Sequence, residues 1–183
     1  MIKERRIFKD RTSNREELGQ LLETVFLTEI MYPSSELLMV FPWISDVQIV
    51  DNRSGAFIQL MPHWGKTQLR LSDILVELLK KGTILRIATR KDTPQTERFI
   101  DTLTFKVSNL KTLGQIFLYY DDELHIKGLL GDNYYLKGSM NLTYNGIEIL
   151  REEIEFTLEE DKIAEARIHH NKYIENLEWE KLC

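Results

Sequence analysis

HIKGLLGDNYYLKGSMN, residues 125–141, concentrates chemistry in a short β-like segment that carries His125, Lys127, Asp132, Ser139 and Asn141. Residues two apart on a strand share a face, so His125 is expected to project with Lys127, and Ser139 with Asn141. Gly128, Gly131 and Gly138 between them allow turns or close backbone approach. An imidazole beside a fixed ammonium, a hydroxyl and a carboxamide suits a phosphodiester: the imidazole attacks phosphorus, and donors meet the non-bridging oxygens. A half-buried strand with a hydrogen-bonded His and a snorkelling Lys is the bland alternative. The fixed spacing of the whole constellation weighs against it.

Upstream of this segment the chain reads as helices alternating with strands. Residues 72–81 form an expected helix, opened by Ser72 and Asp73, with Ile74, Leu75, Leu78 and Leu79 on one face and Lys80 and Lys81 at its negative end. Gly82 closes it, and TILRIATR (83–90) follows as a strand. Such helix-to-strand units build a mixed, largely parallel sheet flanked by helices. Arg90 and Lys91 fall just past the strand's carboxyl end, where a phosphate is met. A helix is expected over 94–111 from Pro94, and a short strand, IFLYY, precedes the motif.

Further upstream, residues 36–43 (ELLMVFPW) read as a buried strand that reaches a loop at Trp43. The stretch after it, VQIVDNRSGAFIQLMPHWGKT, is cut by Asn52, Gly55, Pro62 and Gly65 and reads as an irregular insertion bordering the cleft, with His63 as a loop histidine. An amphipathic helix capped by Asn14 runs to Pro33, and residues 1–13 read as a mobile or surface-docked arm. Downstream, LTYNGIEIL is a short helix or loop. EEIEFTL alternates as a strand with Glu153 and Glu155 opposite Ile154 and Phe156, and Asp161 to about Trp179 reads as a helix. His169 and His170 on that last helix face different directions and read as surface residues.

The 183 residues suit one domain, 1–183, with no internal repeat or linker. Lys and Arg total 24 against 29 Asp and Glu, and the resulting net charge of −5 excludes a surface that coats nucleic acid indiscriminately. Affinity for a polyanion then has to come from local cations: Lys80, Lys81, Arg86, Arg90, Lys91, Lys127 and Lys137. No apolar run approaches a bilayer span, the polar start lacks a secretory core, and the lone Cys183 excludes an internal disulfide framework. A cytoplasmic protein without a membrane partner is expected. Neither HExxH-like spacing nor paired carboxylates call for a metal, and no cofactor is implied.

The spacing His125-x-Lys127-x4-Asp132, followed by Gly138-Ser139-x-Asn141, resembles the HKD signature of the phospholipase D superfamily. Members of that superfamily cleave or transfer phosphodiesters without a metal. The resemblance covers most of the chain from about residue 36, is most specific between His125 and Glu153, and is closest to single-motif, nuclease-type members. FPWISDVQIVDNRSGAF with MPHWG further resembles the DpdK-type proteins encoded beside bacterial systems that place 7-deazaguanine derivatives in DNA. The resemblance implies a phospholipase D-like, endonuclease-like domain in which His125 forms a phosphohistidine. By the same resemblance, Lys127 and Asn141 are expected to bind phosphate oxygens, Ser139 to hydrogen-bond within the site and Asp132 to support it. Trp43, for which packing is the bland alternative, and Arg90 are further substrate-binding candidates. Glu153 is the implied acid that orients the histidine, with Glu152 its rival, because the expected Asn-x-Glu reads Arg151-Glu152-Glu153 here.

The reading that follows is a metal-independent nuclease acting on DNA, within a DNA modification or restriction system and with other proteins of that system as partners. A catalytically silent binding module of the same fold and a lipid phosphodiesterase are the alternatives. Double displacement at phosphorus needs a nucleophile and a general acid on opposite sides of the phosphate, and one motif supplies one imidazole. A two-fold homodimer placing His125 opposite its copy completes the site; failing that, His63 is the candidate acid.

Overall fold

The computed structural model describes residues 3–10, 13–91, 93–108, 110–111 and 113–182, so Cys183 lies outside the described residues. The centre of the molecule follows from apolar runs that bury both faces of a strand. In β2 (Glu36–Val40), Leu37 and Met39 enter the larger core while Leu38 and Val40 enter a second core on the opposite face. Strands β5 (Ile84–Thr89) and β6 (Ile116–Tyr120) lie parallel to it, in the order β2-β5-β6.

Helices α1 (Arg15–Met31), α2 (Leu71–Lys80) and α3 (Pro94–Val107) cover the larger core through Leu18, Phe26, Leu75, Leu78, Phe99 and Leu103. Helix α4 (Glu160–Ile174) covers the other face with Ile163, Ala166 and Ile174. Asn14 begins α1 differently from the expected side-chain cap. It takes a left-handed φ of 60° and turns its amide back to donate to the Phe8 carbonyl. Helix α3 ends at Val107, short of the expected 111.

The sheet has eight strands in the order β1-β9-β8-β7-β2-β5-β6-β10, with β1 (Glu4–Lys9), β7 (Gly128–Leu130), β8 (Tyr135–Gly138), β9 (Glu152–Thr157) and β10 (Glu178–Lys181) completing it. It is mixed, as expected, but not largely parallel, because β2–β5 and β5–β6 are its parallel pairs and every other neighbouring pair is antiparallel. The motif causes this. The β7–β8 turn is too tight for a crossover, so the strands that carry the motif run as a meander.

Two further expectations are corrected at the ends of the chain. Residues 4–9 of the supposed arm are edge strand β1, paired with β9 and anchored by the buried Ile7. The last helix stops at Ile174, and Glu178–Lys181 pair antiparallel with β6, with Trp179 edge-on to Phe117 at 5.7 Å. The insertion after Trp43 is partly ordered as a two-stranded ribbon, β3 (Gln48–Asp51) with β4 (Gln68–Arg70). Asn52 organises the chain between them by donating to Gly65 O and accepting from Phe57 N. Phe57, Leu60 and Trp64 pack this loop against the larger core.

Candidate active site

Antiparallel pairing of β7 with β2 brings the start of β7 to the carboxyl end of β2, and pairing of β8 with β7 and β9 brings Ser139 and Glu152 to the same end. The carboxyl ends of β2, β5 and β6 therefore meet the motif, and short backbone bonds fix them there. Arg90 N donates to Pro42 O at 3.3 Å, Asp121 N to Thr89 O at 3.1 Å and Ser45 N to Leu142 O at 2.9 Å. His125 and Lys127 lie on the extended connection just before β7 rather than inside a strand, which leaves the imidazole exposed.

Around His125 the side chains form a connected set. Its Nε2 lies 3.5 Å from Arg90 Nη2, and Arg90 Nε donates to Leu124 O at 3.0 Å, so the guanidinium is anchored one residue from the imidazole it faces. Lys127 Nζ donates to His125 O at 2.6 Å. Burial pushes the pKa of that ammonium down, Glu152 raises it and Arg90 lowers it further. The Trp43 N–H donates to Asn141 Oδ1 at 3.3 Å, which identifies the acceptor end of the buried carboxamide and leaves its NH2 as the donor the site offers. Trp43 is 38% exposed and carries Arg90 over its ring, 5.8 Å from the centroid.

Gly138 makes the turn into Ser139 possible. Its φ is +152°, and a Cβ there would sit 2.0 Å from the Glu153 carbonyl oxygen. Ser139 Oγ donates to the Glu152 carboxylate and accepts from the Glu153 N–H at 3.0 Å. Glu152, 8% exposed, is thus the acid held against Ser139 and near Lys127, whereas the Glu153 side chain faces solvent. A cleft of about 470 Å³ joins His125, Lys127 and Ser139 to Tyr135, Lys137 and Glu153.

Asp132 is not brought to this cleft. It lies past the far end of β7, accepts from Ser35 N at 2.7 Å and Ser35 Oγ at 3.1 Å, and lies 3.6 Å from Arg167 of α4. It acts as a clamp that fixes β7 against the start of β2. Gly131 beside it has no room for a Cβ, which would meet Tyr134 Cε1 at 2.4 Å and the buried Glu29 Oε1 at 2.7 Å. His63 is also apart: its Nε2 pairs with Glu77 Oε1 of α2 at 3.0 Å, and residues 52–68 do not line the cleft.

Sequence reasoning placed His170 at the surface, but its ring is 1% exposed and its Nε2 lies 3.0 Å from the Tyr135 hydroxyl. Burial, with the neighbouring His169, pulls its pKa down to about 4, so it is neutral at ordinary pH. The signal for Glu152 was in the alternation of β9, because residue 152 shares the inward face of Ile154. His170 gave no such signal, since its burial depends on where α4 meets β8.

The expected cluster of local cations is largely neutralised. Lys80 pairs with Glu77, Arg86 with Glu36, Lys91 with Glu178 and Lys137 with Glu155, and Lys81 donates to Ile30 O. Among the described residues, Arg90 and Lys127 have no carboxylate at ion-pair distance. Of the cations near the candidate site, Arg90 and Lys127 are therefore the ones left to an anion.

No family model matches the sequence. A search of curated proteins returns no match. The fold does match solved structures. Nuc from Salmonella typhimurium, a phospholipase D family member, superposes with a TM-score of 0.61 at 15% identity over 97% of each chain. NucT from Helicobacter pylori superposes with 0.55 at 12% identity over 96% of this chain and 98% of its own. Phosphatidylserine synthase from Haemophilus influenzae Rd KW20 gives 0.59 at 15% identity over 97% of this chain and 39% of its own. The chain shares their fold over 96–97% of its length.

Proposed function

We propose that the chain is a phosphodiesterase of the phospholipase D superfamily, a nuclease that acts on DNA through a phosphohistidine at His125. The observation that carries the reading is an exposed His125 whose imidazole faces Arg90 Nη2 at 3.5 Å and whose backbone carbonyl holds the Lys127 ammonium, in a cleft that Ser139 also lines. His125 attacks phosphorus. The Arg90 guanidinium, the Lys127 ammonium and the Asn141 amide meet the charge that grows on the non-bridging oxygens. Glu152, the rival of Glu153 for the site's acid, fixes Ser139 and balances Lys127 from the buried side. A module that only binds has no use for an exposed imidazole so placed, which favours turnover over the silent reading. Among the described residues no group of three or more His, Cys, Asp or Glu side chains is arranged to hold a metal.

The second imidazole comes from a second copy of the chain, in a two-fold dimer with residues 125–141 beside its axis. Tyr144, Ile149 and Leu150, 61%, 44% and 47% exposed on the segment that follows Asn141, provide an apolar rim for that contact. FPWISD, which resembles the DNA-modification-associated proteins, carries Trp43 into the site, and a role beside such a system follows from that reading. No described helix is long and apolar enough to cross a membrane.

The test is incubation of purified protein with EDTA and labelled DNA, RNA or phospholipid, alongside His125→Asn. DNA cleavage that persists in EDTA is expected, with the variant reduced by at least about a thousand-fold and a trapped phosphohistidine in the wild type alone. Cleavage of phospholipid and not nucleic acid would move the reading to the lipid class, and undiminished activity of the variant would remove His125 as nucleophile.

A further inference from the structure

We propose that Trp43 and Tyr120, each covered by a cation, form a base-stacking shelf beside His125 that selects an unpaired nucleic-acid strand; this rests on the nuclease reading above. The two rings stand at the carboxyl ends of the parallel strands β2 and β6, which flank β5. Trp43 follows β2 and has Arg90 over it at 5.8 Å, and Tyr120 ends β6 and has Lys91 over it at 4.5 Å. Arg90 connects the shelf to the chemistry, because the same guanidinium lies 3.5 Å from His125 Nε2. The Trp43 backbone is bonded to Asn141, so this ring is held beside the phosphate-binding amide. Beyond Arg90 a cavity of about 400 Å³ opens over Lys91, Thr96 and Tyr120, a size that admits a small planar ligand.

The charge around the cavity decides what kind of strand it takes. Glu97, Asp101 and Glu180 outnumber Arg90 and Lys91 along its walls, and Lys91 is already paired with Glu178. Such walls repel phosphates, so attraction there has to come from base faces on aromatic and guanidinium planes. In a duplex those faces are buried in the stack, and the second backbone would have to pass the same carboxylates. A single strand offers its bases freely and places one phosphate at His125. The net charge of −5 points the same way, since affinity built on stacking does not need a broad basic surface.

Equilibrium binding of labelled single-stranded and blunt duplex oligonucleotides of equal length to the His125→Asn protein tests this, with wild-type hydrolysis of bis(p-nitrophenyl) phosphate as a separate measure of phosphodiesterase chemistry. Single strands are expected to bind at least about tenfold more tightly than duplex. Trp43→Ala should lower single-strand affinity about 5- to 150-fold, and Trp43→Phe should restore most of it. Equal affinity for both forms, or no effect of Trp43→Ala, would overturn the shelf while leaving the phosphodiesterase intact if the small diester is still cleaved. Trp43-dependent single-strand binding without hydrolysis of any diester would keep the shelf and remove the enzyme. Absence of both binding and hydrolysis would remove both.

Discussion

Glu152 and Glu153 are neighbours in sequence with opposite environments, and the difference assigns their chemistry. Ser139 Oγ donates to the Glu152 carboxylate, which is 8% exposed, while Glu153 engages Ser139 through its backbone alone. A charge-assisted hydrogen bond at a part-buried site is worth about 1.5–3 kcal/mol, so Glu152→Gln is expected to lower kcat/KM on a DNA substrate about 10- to 150-fold, and Glu153→Gln less than about threefold. Steady-state kinetics with the reverse ranking would return the role to Glu153. His170 carries a second prediction. Its folded pKa, about 4, lies below the ordinary 6.5 because burial disfavours the charged ring, with His169 adding to the effect. A depressed pKa means stabilisation that is present above about pH 6.5 and is lost as pH falls toward 4, worth about 3 kcal/mol in full. Urea unfolding at pH 7 and pH 4.5 should therefore show the stability gap between wild type and His170→Gln shrinking in acid, and a pH-independent gap would be contrary to this account. At this scale the motif residues were legible because their types are scarce in ordinary strands. The buried His170 was not, since no local pattern distinguishes it from His169 on the same helix.

Interior elements were legible and edge elements were not, for one physical reason. Strands β2 and β6 are apolar runs because helices cover both their faces, and that composition stands out in sequence. Strand β1, ERRIFK, is an edge, and of its apolar residues Ile7 alone is buried, at 1% exposed against 60% for Phe8. Strand β10, EWEK, is exposed at all four positions and pairs on one side only. Charged, short edges guard a sheet against adding further strands, and the same charges hide them among loops and arms. The ion pairs that decorate β1, Arg6 with Glu155 and Lys162 with Glu4, are exposed and contribute little. Ile7 supplies the apolar part of its attachment, beside the buried Lys9 that donates to Ile147 O at 3.0 Å, so Ile7→Ala is expected to destabilise the protein by about 3 kcal/mol, whereas Phe8→Ala should change stability by no more than about 0.5 kcal/mol. Equilibrium denaturation of the two variants checks this, and equal, small effects would show β1 to be a dispensable arm after all.

Taken as a whole, the molecule is a net polyanion that is proposed to grip another polyanion, and long-range pairing resolves the conflict. The excess of acid was plain in the sequence, but which cations it would quench was not. Lys80, Arg86, Lys91 and Lys137 find carboxylates 2.7–3.4 Å away, some from distant parts of the chain, and this leaves Arg90 and Lys127 at the site. Counterion release turns that inventory into a number. The logarithm of a single strand's binding constant falls with the logarithm of salt concentration with a slope of about −0.7 for each phosphate neutralised. Two cations in a lone protomer give about −1.4, and the four of a two-fold composite site give about −2.8. Titrating a single-stranded oligonucleotide into His125→Asn protein across a salt series separates these cases, and sedimentation under the same conditions reports the assembly. A dimer with a slope near −2.8 is expected. A dimer with a slope near −1.4 would place the two motifs on separate faces and leave the second imidazole without a source. A slope much steeper than −2.8 would mean that the paired lysines open their salt bridges to bind, and the strand would then run over a far broader surface than the cleft at His125.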